Sequence, residues 1–264
     1  MEAKDIKVLC IIPCFNSQNT IARAIESIVN QYHSNWELVI VDDASTDKTV
    51  KIIKPYLKDP RITLLQNKVN KGCYYSRNRG LFYSKDKPWH VFTIHDSDDS
   101  SSKDRFLQYV TFFSKNENAE VIRGVFQGKR WRGDKNKKFI KFQKQYAAGI
   151  NWYKKSVFTT FGYFDNTRFS GDKEYVDRIQ YYLQVCFGSD PEKYEQECKK
   201  VLLKPNLDLS YVYTVHPSES GGSLSTSYTK EEKQNYIKKY QDKFDNFSTL
   251  EDFYYFFTPE QQDL

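Results

Sequence analysis

The chain has 264 residues, 39% of them hydrophobic, and is long enough to bury a large core within one α/β domain. Its net charge of +6, from 40 basic and 34 acidic residues, comes with no nucleic-acid-binding motif, so nucleic acid is not an expected partner. Five cysteines without paired spacing indicate neither a disulfide framework nor a zinc site.

The first hundred residues alternate strand and helix patterns four times. Apolar runs typical of buried strands lie at Lys7–Pro13, Trp36–Val41, Arg61–Gln66 and Trp89–His95. Helical spacing predicts helices at Thr20–Tyr32, with Asn19 or Thr20 as cap, at Asp47–Leu57 and at Gly72–Ser84. This order predicts a mostly parallel α/β sheet with helices on its faces, in which ligands bind beyond the carboxyl ends of the strands.

The second half of the chain has a mixed pattern. It predicts strands at Glu120–Phe126, Lys138–Gln143 and Leu207–His216, and helices at Asn151–Gly162 and Asp172–Gln184. Two further segments, Glu231–Phe244 and Leu250–Phe257, predict a helical tail that packs aromatic residues onto the body. We therefore expect a main domain over 1–228 and a helical extension over 229–264.

No apolar run approaches the ~20 residues that a membrane-spanning helix needs. The short run Val8–Pro13 leads into a polar, helix-forming stretch, which is not the pattern of a signal peptide. The sequence thus predicts a cytoplasmic chain without a transmembrane segment. Its densest basic segment, Lys129–Lys144, leaves peripheral contact with a membrane surface open.

Two clusters of carboxylates follow predicted strands. Asp42 and Asp43 close the second strand, where a carboxylate can accept hydrogen bonds from a ribose or a base. Asp96, Asp98 and Asp99 follow the fourth strand. Two carboxylates ~4 Å apart repel by ~4 kcal/mol at an effective dielectric near 20, a penalty that a divalent cation removes. The second cluster therefore predicts a Mg²⁺ or Mn²⁺ site.

The neighbouring His95 has two interpretations. A histidine at a strand end beside carboxylates is more often a hydrogen-bond partner, and the second interpretation makes it a metal ligand. After Pro13 ends the first strand, Asn16 or Ser17 opens the helix, which gives either an anion-binding helix N-terminus or an ordinary capped turn. Arg77 is either an anion ligand or part of a surface ion pair.

Two further segments carry candidate functional groups. Asp172 and Glu174 lie in the first turn of a predicted helix. They are either an ordinary carboxylate pair that the helix dipole favours, or they include a general base. His216 lies in a Gly/Ser-rich segment, as a surface histidine or as a contact for a metal or a diphosphate.

Taken in chain order, six segments resemble the signature set of family 2 glycosyltransferases, which have the GT-A fold. They are IIPCFNS, ELVIVDDASTD, NKGCYYSRNRG, HDSDD, GYFDNTRFSGDKEY and VHPSESGGSLS, and the resemblance covers roughly residues 7–225. It implies a Rossmann-like, mostly parallel central sheet. It also implies an inverting enzyme that transfers sugar from a nucleotide sugar, with UDP first among the nucleotides, to an acceptor hydroxyl with Mn²⁺ or Mg²⁺ as cofactor.

The resemblance assigns a role to each candidate residue. The residues it implies around the donor nucleotide are Pro13, Phe15, Asn16, Asp42, Asp43, Arg77 and Asp96. It implies Asp98 as the principal metal ligand and His216 beside the metal-bound diphosphate. Asp172 matches the catalytic base. Gly171 occupies a position where the family often has Glu, which leaves Asp172 and Glu174 as alternatives for the base.

The QxxRW motif and membrane helices of the family's processive members are missing, which favours transfer of a single sugar to a glycan, protein or lipid-linked acceptor. Two other classes stay in view. A nucleotidyltransferase should carry a Gly-rich basic loop after the first strand. This chain has PCFNSQNT there, which contains neither glycine nor a basic residue. A non-catalytic nucleotide-sugar-binding module should show no donor hydrolysis. We also expect Lys129–Lys144, with Trp131, to form a flap that closes over the acceptor when donor binds, or else an ordinary loop.

Overall fold

Strand β1 (Val8–Cys14) is buried along its whole length, as an apolar run must be when both faces of a sheet are covered. It pairs in parallel with β2 (Trp36–Asp42) on one side and with β4 (Val91–Ile94) on the other. Strand β3 (Ile62–Gln66) extends the sheet beyond β2, again in parallel. These four strands confirm the parallel sheet predicted from the alternating pattern.

The computed structural model describes residues 1–130, 140–204, 212–214, 229–247, 249–254 and 258–259, without the side chains of 126–145, 147, 148, 203, 212–214, 230 and 250. The other strands of this part of the chain are β5 (Asp99–Ser101), β6 (Val121–Arg130), β7 (Ile140–Lys154), β8 (Leu202–Leu203) and β9 (Val212–Thr214). They continue the same sheet in the order β3-β2-β1-β4-β7-β6-β9-β5, with β8 beside β6. Strand β7 is antiparallel to both β4 and β6, so the sheet is mixed.

Helices cover both faces of the sheet. They are α1 (Ile21–Val29), α2 (Thr49–Ile53), α3 (Cys73–Ser84), α4 (Arg105–Lys115), α5 (Lys155–Phe161), α6 (Gly171–Phe187), α7 (Pro191–Val201) and α8 (Lys230–Phe244), with 3₁₀ turns at Ala3–Asp5, Lys54–Lys58 and Leu250–Phe253. Alternate residues of β1 enter two separate cores, as the pleat requires: Ile12 packs with α1 and α4, while Ile11 packs with α3 and α6.

Three local predictions need correction. The helix predicted at Asn151–Gly162 begins only at Lys155, because Trp152 and Tyr153 are buried and pair with β4 as the end of β7. The helix predicted at Asp47–Leu57 becomes a 3₁₀ turn at Lys54, next to Pro55. Thr20 lies at the N-cap of α1, but its side chain makes no capping hydrogen bond.

Helix α7 was not predicted, although its start has a clear signal. Pro191 occupies the first turn, and the Asp190 carboxylate accepts a hydrogen bond of 3.0 Å from the backbone N–H of Lys193. His216 and Trp131 lie outside the described residues, as does most of the flap predicted over Lys129–Lys144. Within the described part of the chain, no helix combines the length and apolar character needed to cross a bilayer.

The C-terminal helix α8 packs against α6 and the segment before it. Tyr240 and Phe244 of α8 are buried. The Tyr236 hydroxyl donates a hydrogen bond of 2.7 Å to the Asp165 carboxylate, and the Tyr236 ring lies edge-on to Phe169. The tail therefore supports the segment that leads into α6.

Candidate active site

Both carboxylate clusters lie at the same edge of the sheet, on the two strands that flank β1. Cys14 at the end of β1 pairs with Asp42, and the backbone N–H of Asp43 donates to the Cys14 carbonyl oxygen at 2.8 Å. On the other side, the backbone N–H of His95 donates to the Ile11 carbonyl oxygen at 3.0 Å. The structure thus places 42–43 and 95–99 around the end of one central strand, where parallel sheets bind ligands.

Asp43 organises the turn that leads into α3. Its carboxylate accepts hydrogen bonds from the backbone N–H groups of Lys71 (2.9 Å) and Gly72 (2.8 Å) and from the side-chain amide of Asn67 (2.6 Å). Gly72 has φ of +98°, a conformation that favours glycine. Asp43 is only 3% exposed, so its carboxylate is a buried acceptor that holds the turn before α3 at this edge of the sheet.

The turns after β1 and β2 are tied to each other. The backbone N–H of Asn16 donates to the Ser45 hydroxyl at 2.9 Å, and the Asn16 side-chain oxygen accepts from the backbone N–H of Thr46 at 2.9 Å. Asn16 and Ala44 both have positive φ, of 48° and 64°. Such conformations cost roughly 1–3 kcal/mol each and cluster at ligand sites.

The remaining nucleotide-side candidates of these turns differ in exposure. Pro13 is buried at the end of β1, whereas Phe15 beside it is 42% exposed. Asp42 is 1% exposed, and burial raises its pKa even though Ser45 donates hydrogen bonds to it. Of these three, Phe15 presents its side chain to solvent at the cleft.

Arg77 of α3 is a buried arginine at this edge of the sheet. It is 5% exposed, and its guanidinium donates to the Asp96 carboxylate at 3.1 Å and stacks on the Tyr74 ring, 4.6 Å from the ring centroid. Its Nε and Nη1 atoms have no hydrogen-bond partner within the described residues. The buried guanidinium beside Asp96 brings positive charge to this edge of the sheet, which favours an anionic group there.

Asp96, which pairs with Arg77, and the neighbouring Asp98 and Asp99 carry hard oxygen atoms at this edge. Burial, reinforced by the charge of Asp96, raises the pKa of Asp98 to about 6. Asp99 is 4% exposed, its Oδ1 atom has no partner in the described part of the chain, and burial raises its pKa well above the ordinary range. No cluster of three or more metal-ligating side chains occurs among the described residues. The donor set fits Mg²⁺ or Mn²⁺ completed by phosphate oxygens and water.

His95 is a structural residue of this edge. It is fully buried, its Nδ1–H donates to the Asp96 carbonyl oxygen at 2.9 Å, and its Nε2 lies 3.4 Å from the Ser27 hydroxyl. Burial and the charge of Arg105 lower the pKa of His95 to about 3. With both ring nitrogens engaged, His95 follows the hydrogen-bond interpretation rather than the metal-ligand one.

We expect His95→Gln to flatten the pH dependence of stability. The unfolded chain binds a proton at His95 near pH 6.5, whereas the folded chain binds it only near pH 3. The contribution of neutral His95 to the free energy of unfolding is therefore full above pH 6.5 and is lost as pH falls. Between pH 7 and pH 5 the wild-type free energy of unfolding should therefore drop by about 2 kcal/mol more than that of the variant. Urea denaturation at the two pH values measures this difference; equal drops would contradict it.

Asp172 and Glu174, the two alternatives for the base, lie in different surroundings. Glu174 is fully buried and forms a two-pronged ion pair with Arg178, with N–O distances of 2.9 and 3.0 Å. Asp172 is half-buried at the start of α6, just after Ser170 with its positive φ of 57°. Its Oδ1 atom accepts a hydrogen bond from the Tyr74 hydroxyl. Asp172 therefore faces the same group of side chains as Arg77.

Two residues of this edge were missed by sequence reasoning. Asn67 follows β3 directly and connects Asp43 to Arg79, whose guanidinium donates to the Asn67 oxygen at 2.6 Å. The position of Asn67 directly after a predicted strand could have identified it as a candidate for the ligand-binding edge. Tyr74 contacts both Arg77 and Asp172. Its partner Asp172 is 98 residues away, and nothing in the sequence relates the two.

The mixed α/β sheet places buried cationic and acidic groups at the carboxyl edge of its parallel strands, where such sheets bind ligands. The chain matches the family described as Glycosyl transferase family 2 over residues 9–176. It belongs to that family, as the resemblance implied.

Three known proteins illustrate the relationship. The chain is 34% identical over 113 residues to the UDP-Glc:alpha-D-GlcNAc-diphosphoundecaprenol beta-1,3-glucosyltransferase WfgD of Escherichia coli. This alignment covers 42% of this chain and 43% of WfgD. It is thus matched over less than half the length of this relative. The structure of S. aureus TarS 1-349 in complex with UDP-GlcNAc superposes with a TM-score of 0.66 at 19% identity, over 89% of this chain and 65% of TarS.

The third is the mannosyltransferase PcManGT of Pyrobaculum calidifontis in complex with GDP-Man and Mn²⁺. It has a TM-score of 0.53 at 17% identity and covers 68% of this chain and 54% of its own. At these identities both structures show the fold alone. That fold is the predicted GT-A arrangement of a central sheet flanked by helices.

Proposed function

We propose that the chain transfers a single sugar from a nucleotide sugar, in the first instance a UDP-sugar, to an acceptor hydroxyl with inversion at the anomeric carbon. The observation that carries this proposal is the buried Arg77 guanidinium, which has two unpartnered donors and lies beside Asp96. The positive charge of this guanidinium would favour a diphosphate bound at the same edge of the sheet. Pro13, Phe15, Asn16, Asp42, Asp43 and Asp96 would surround the nucleotide.

Asp172 is the general base in this proposal. It is the half-buried carboxylate of the first turn of α6, whereas Glu174 is committed to Arg178 in the core. Asp172 would take the proton from the acceptor hydroxyl as that oxygen attacks the anomeric carbon from the side opposite the leaving diphosphate. A positioned base contributes typically about 10² to 10⁴ in rate.

A divalent cation belongs to the proposal as well. Asp98 would be its principal protein ligand, with Asp96 beside it and His216, which lies outside the described residues, as a further candidate. When bound, Mn²⁺ or Mg²⁺ would stabilise the negative charge that develops on the leaving diphosphate. The Mn²⁺ of the PcManGT complex supports this assignment by analogy of fold.

The comparisons also support a choice of donor and acceptor. TarS was solved with UDP-GlcNAc, and the name of WfgD states a UDP-Glc donor and a diphosphoundecaprenol-linked acceptor. We therefore propose a UDP-hexose as donor and a lipid-linked glycan as the first acceptor class to test. Glycan and protein acceptors without a lipid are the alternatives.

The proposal is tested by UDP affinity with and without Mn²⁺. Wild-type protein should bind UDP more tightly with Mn²⁺ in isothermal titration calorimetry, and Asp98→Ala should lose roughly tenfold or more of the affinity measured with Mn²⁺, because one charged ligand is gone. Asp59→Ala is the matched control, since Asp59 pairs with Arg61 at the opposite end of β3. Unchanged metal-dependent affinity in Asp98→Ala would refute the metal assignment.

Turnover separates an enzyme from a non-catalytic binding module. Wild-type protein with Mn²⁺ should release UDP slowly from UDP-Glc or UDP-GlcNAc with water as acceptor, and faster when the correct acceptor is added. Release of GDP from GDP-Man instead would correct the choice of nucleotide. Binding of all three donors without any release would favour the binding module.

A further inference from the structure

Tyr74 of α3 lies between the charged groups of the cleft and is itself 5% exposed. Its hydroxyl donates to the Oδ1 atom of Asp172, and the face of its ring lies against the Arg77 guanidinium. Burial, together with the charge of Asp172, raises the pKa of Tyr74 well above its usual value. The hydroxyl therefore keeps its proton and acts as a donor to the carboxylate.

The ring of Tyr74 fills space that a side chain at position 171 would need. A Cβ atom on Gly171 would lie 2.9 and 3.0 Å from two carbon atoms of the Tyr74 ring and 3.1 Å from the Thr167 methyl group. The ring has little room to move, because Arg77 covers it and Phe164 packs at a centroid distance of 6.1 Å. Because Gly171 has no side chain, the Tyr74 ring can pack against the start of α6.

The second oxygen of Asp172 has different surroundings. Its Oδ2 atom lies 3.4 Å from the point where a Cβ on Gly149 would be, so Gly149 of β7 itself places no side chain beside Oδ2. Tyr74 binds Oδ1, and in the proposed reaction the acceptor hydroxyl would approach Oδ2. A carboxylate fixed through one oxygen is restricted in rotation about its χ angles, which favours a productive approach through the other.

We propose that Tyr74 is a positioning residue for the transfer reaction and that Gly171 is required for it. Tyr74 orients the Asp172 carboxylate through its hydroxyl and supports Arg77 through its ring, so one side chain aligns the proposed base with the anion-binding arginine. This inference rests on the proposed role of Asp172 as base. It also gives a physical reason for glycine at position 171, since any larger residue would displace the ring.

Tyr74→Phe tests the hydroxyl alone, since phenylalanine keeps the ring that packs on Arg77. With the UDP-sugar that gives the fastest UDP release, kcat should fall roughly 10-fold, because the base stays but loses its orientation. The KM for donor and the calorimetric affinity for UDP should stay unchanged. A kcat within a factor of about 2 of wild type would overturn the proposal.

Tyr175→Phe is the matched control. This buried tyrosine lies on α6 three residues after Asp172, and its hydroxyl donates to the Gly162 carbonyl oxygen at 2.9 Å rather than to the base. It loses a buried hydrogen bond of similar kind, so its melting temperature should fall at least as much as that of Tyr74→Phe while its kcat stays normal. An equal loss of kcat in both variants would show a general structural effect and would overturn the positioning role.

Gly171→Ala is the second variant and tests the same contact from the other side. The added methyl group should displace the Tyr74 ring and lower kcat to a similar extent, and it should add little to Tyr74→Phe in the double variant. Full additivity would argue against a shared mechanism. Asp172→Asn distinguishes failure of the base assignment from failure of the positioning role. Normal turnover in Asp172→Asn would refute Asp172 as the base. Loss of turnover in Asp172→Asn together with normal turnover in Tyr74→Phe would refute only the positioning role of Tyr74.

Discussion

Replacing Asp172 by Asn is expected to lower the turnover of a nucleotide sugar by about 10² to 10⁴ while the affinity for UDP stays within a factor of about 2. The amide is nearly the same shape as the carboxylate and still accepts the hydrogen bond from Tyr74, but it cannot take a proton from an acceptor hydroxyl. Rates of UDP release measured with saturating donor and Mn²⁺, together with calorimetric UDP affinity, provide the test.

Asp177→Asn is the control for this experiment. Asp177 lies on the same helix and binds Lys173 and the Tyr240 hydroxyl, away from the Tyr74 contact. Its turnover should be close to that of wild type. If Asp172→Asn retained more than about a third of the wild-type rate, Asp172 would not be the base, and an acceptor-derived or water-mediated base would have to be sought.

The second large effect concerns stability. Arg178→Met is expected to lower the free energy of unfolding by about 3–5 kcal/mol, because it leaves the fully buried Glu174 carboxylate without its partner. The Arg178 guanidinium also donates to the carbonyl oxygens of Phe161 (2.6 Å), Tyr163 (2.8 Å) and Phe253 (3.2 Å), all of which lose a donor. Equilibrium denaturation in urea measures the loss.

Lys199→Met is the matched control on an exposed helix. Lys199 and Glu195 form an ion pair of the same i,i+4 spacing, with side chains 72% and 68% exposed. Exposed pairs contribute about 0–1 kcal/mol, so this variant should be nearly neutral. The double variant Glu174→Leu with Arg178→Met should recover part of the stability, since it removes the unpaired charge; no difference from Arg178→Met alone would contradict this explanation.

The parallel half of the sheet was predictable because its strands are buried on both faces and read as continuous apolar runs, as in Val8–Cys14. The position of the carboxylate clusters followed from the same pattern, since parallel strands bring their carboxyl ends to one edge. The end of β7 was not predictable in this way. Trp152 and Tyr153 fit a helical or an extended pattern equally well, and their pairing with β4 decides between them.

The contacts that separate Asp172 from Glu174 are a long-range contact for Asp172 and a pair within α6 for Glu174. Both residues occupy the first turn of α6, and local sequence gives either one the same helix-start environment. The difference comes from Tyr74 of α3, which reaches Asp172, and from the core, which encloses Glu174 with Arg178. The Glu174–Arg178 pair has the i,i+4 spacing of a helix, whereas the contact between Tyr74 and Asp172 has no periodic signal in the sequence. The assignments that fall on His216 and Trp131 concern residues outside the described part of the chain.

The contact between α8 and the segment before α6 has a consequence for folding during synthesis. The match to the family ends at residue 176, yet Asp165 and Asp177 on either side of the proposed base bind tyrosines at positions 236 and 240. A ribosome makes those tyrosines roughly 60 residues later, which takes about 3–12 s at bacterial or eukaryotic elongation rates. During that interval the nascent chain has strands β1–β4 but lacks the tyrosine partners of Asp165 and Asp177, so these contacts around the start of α6 form only after α8 has been made.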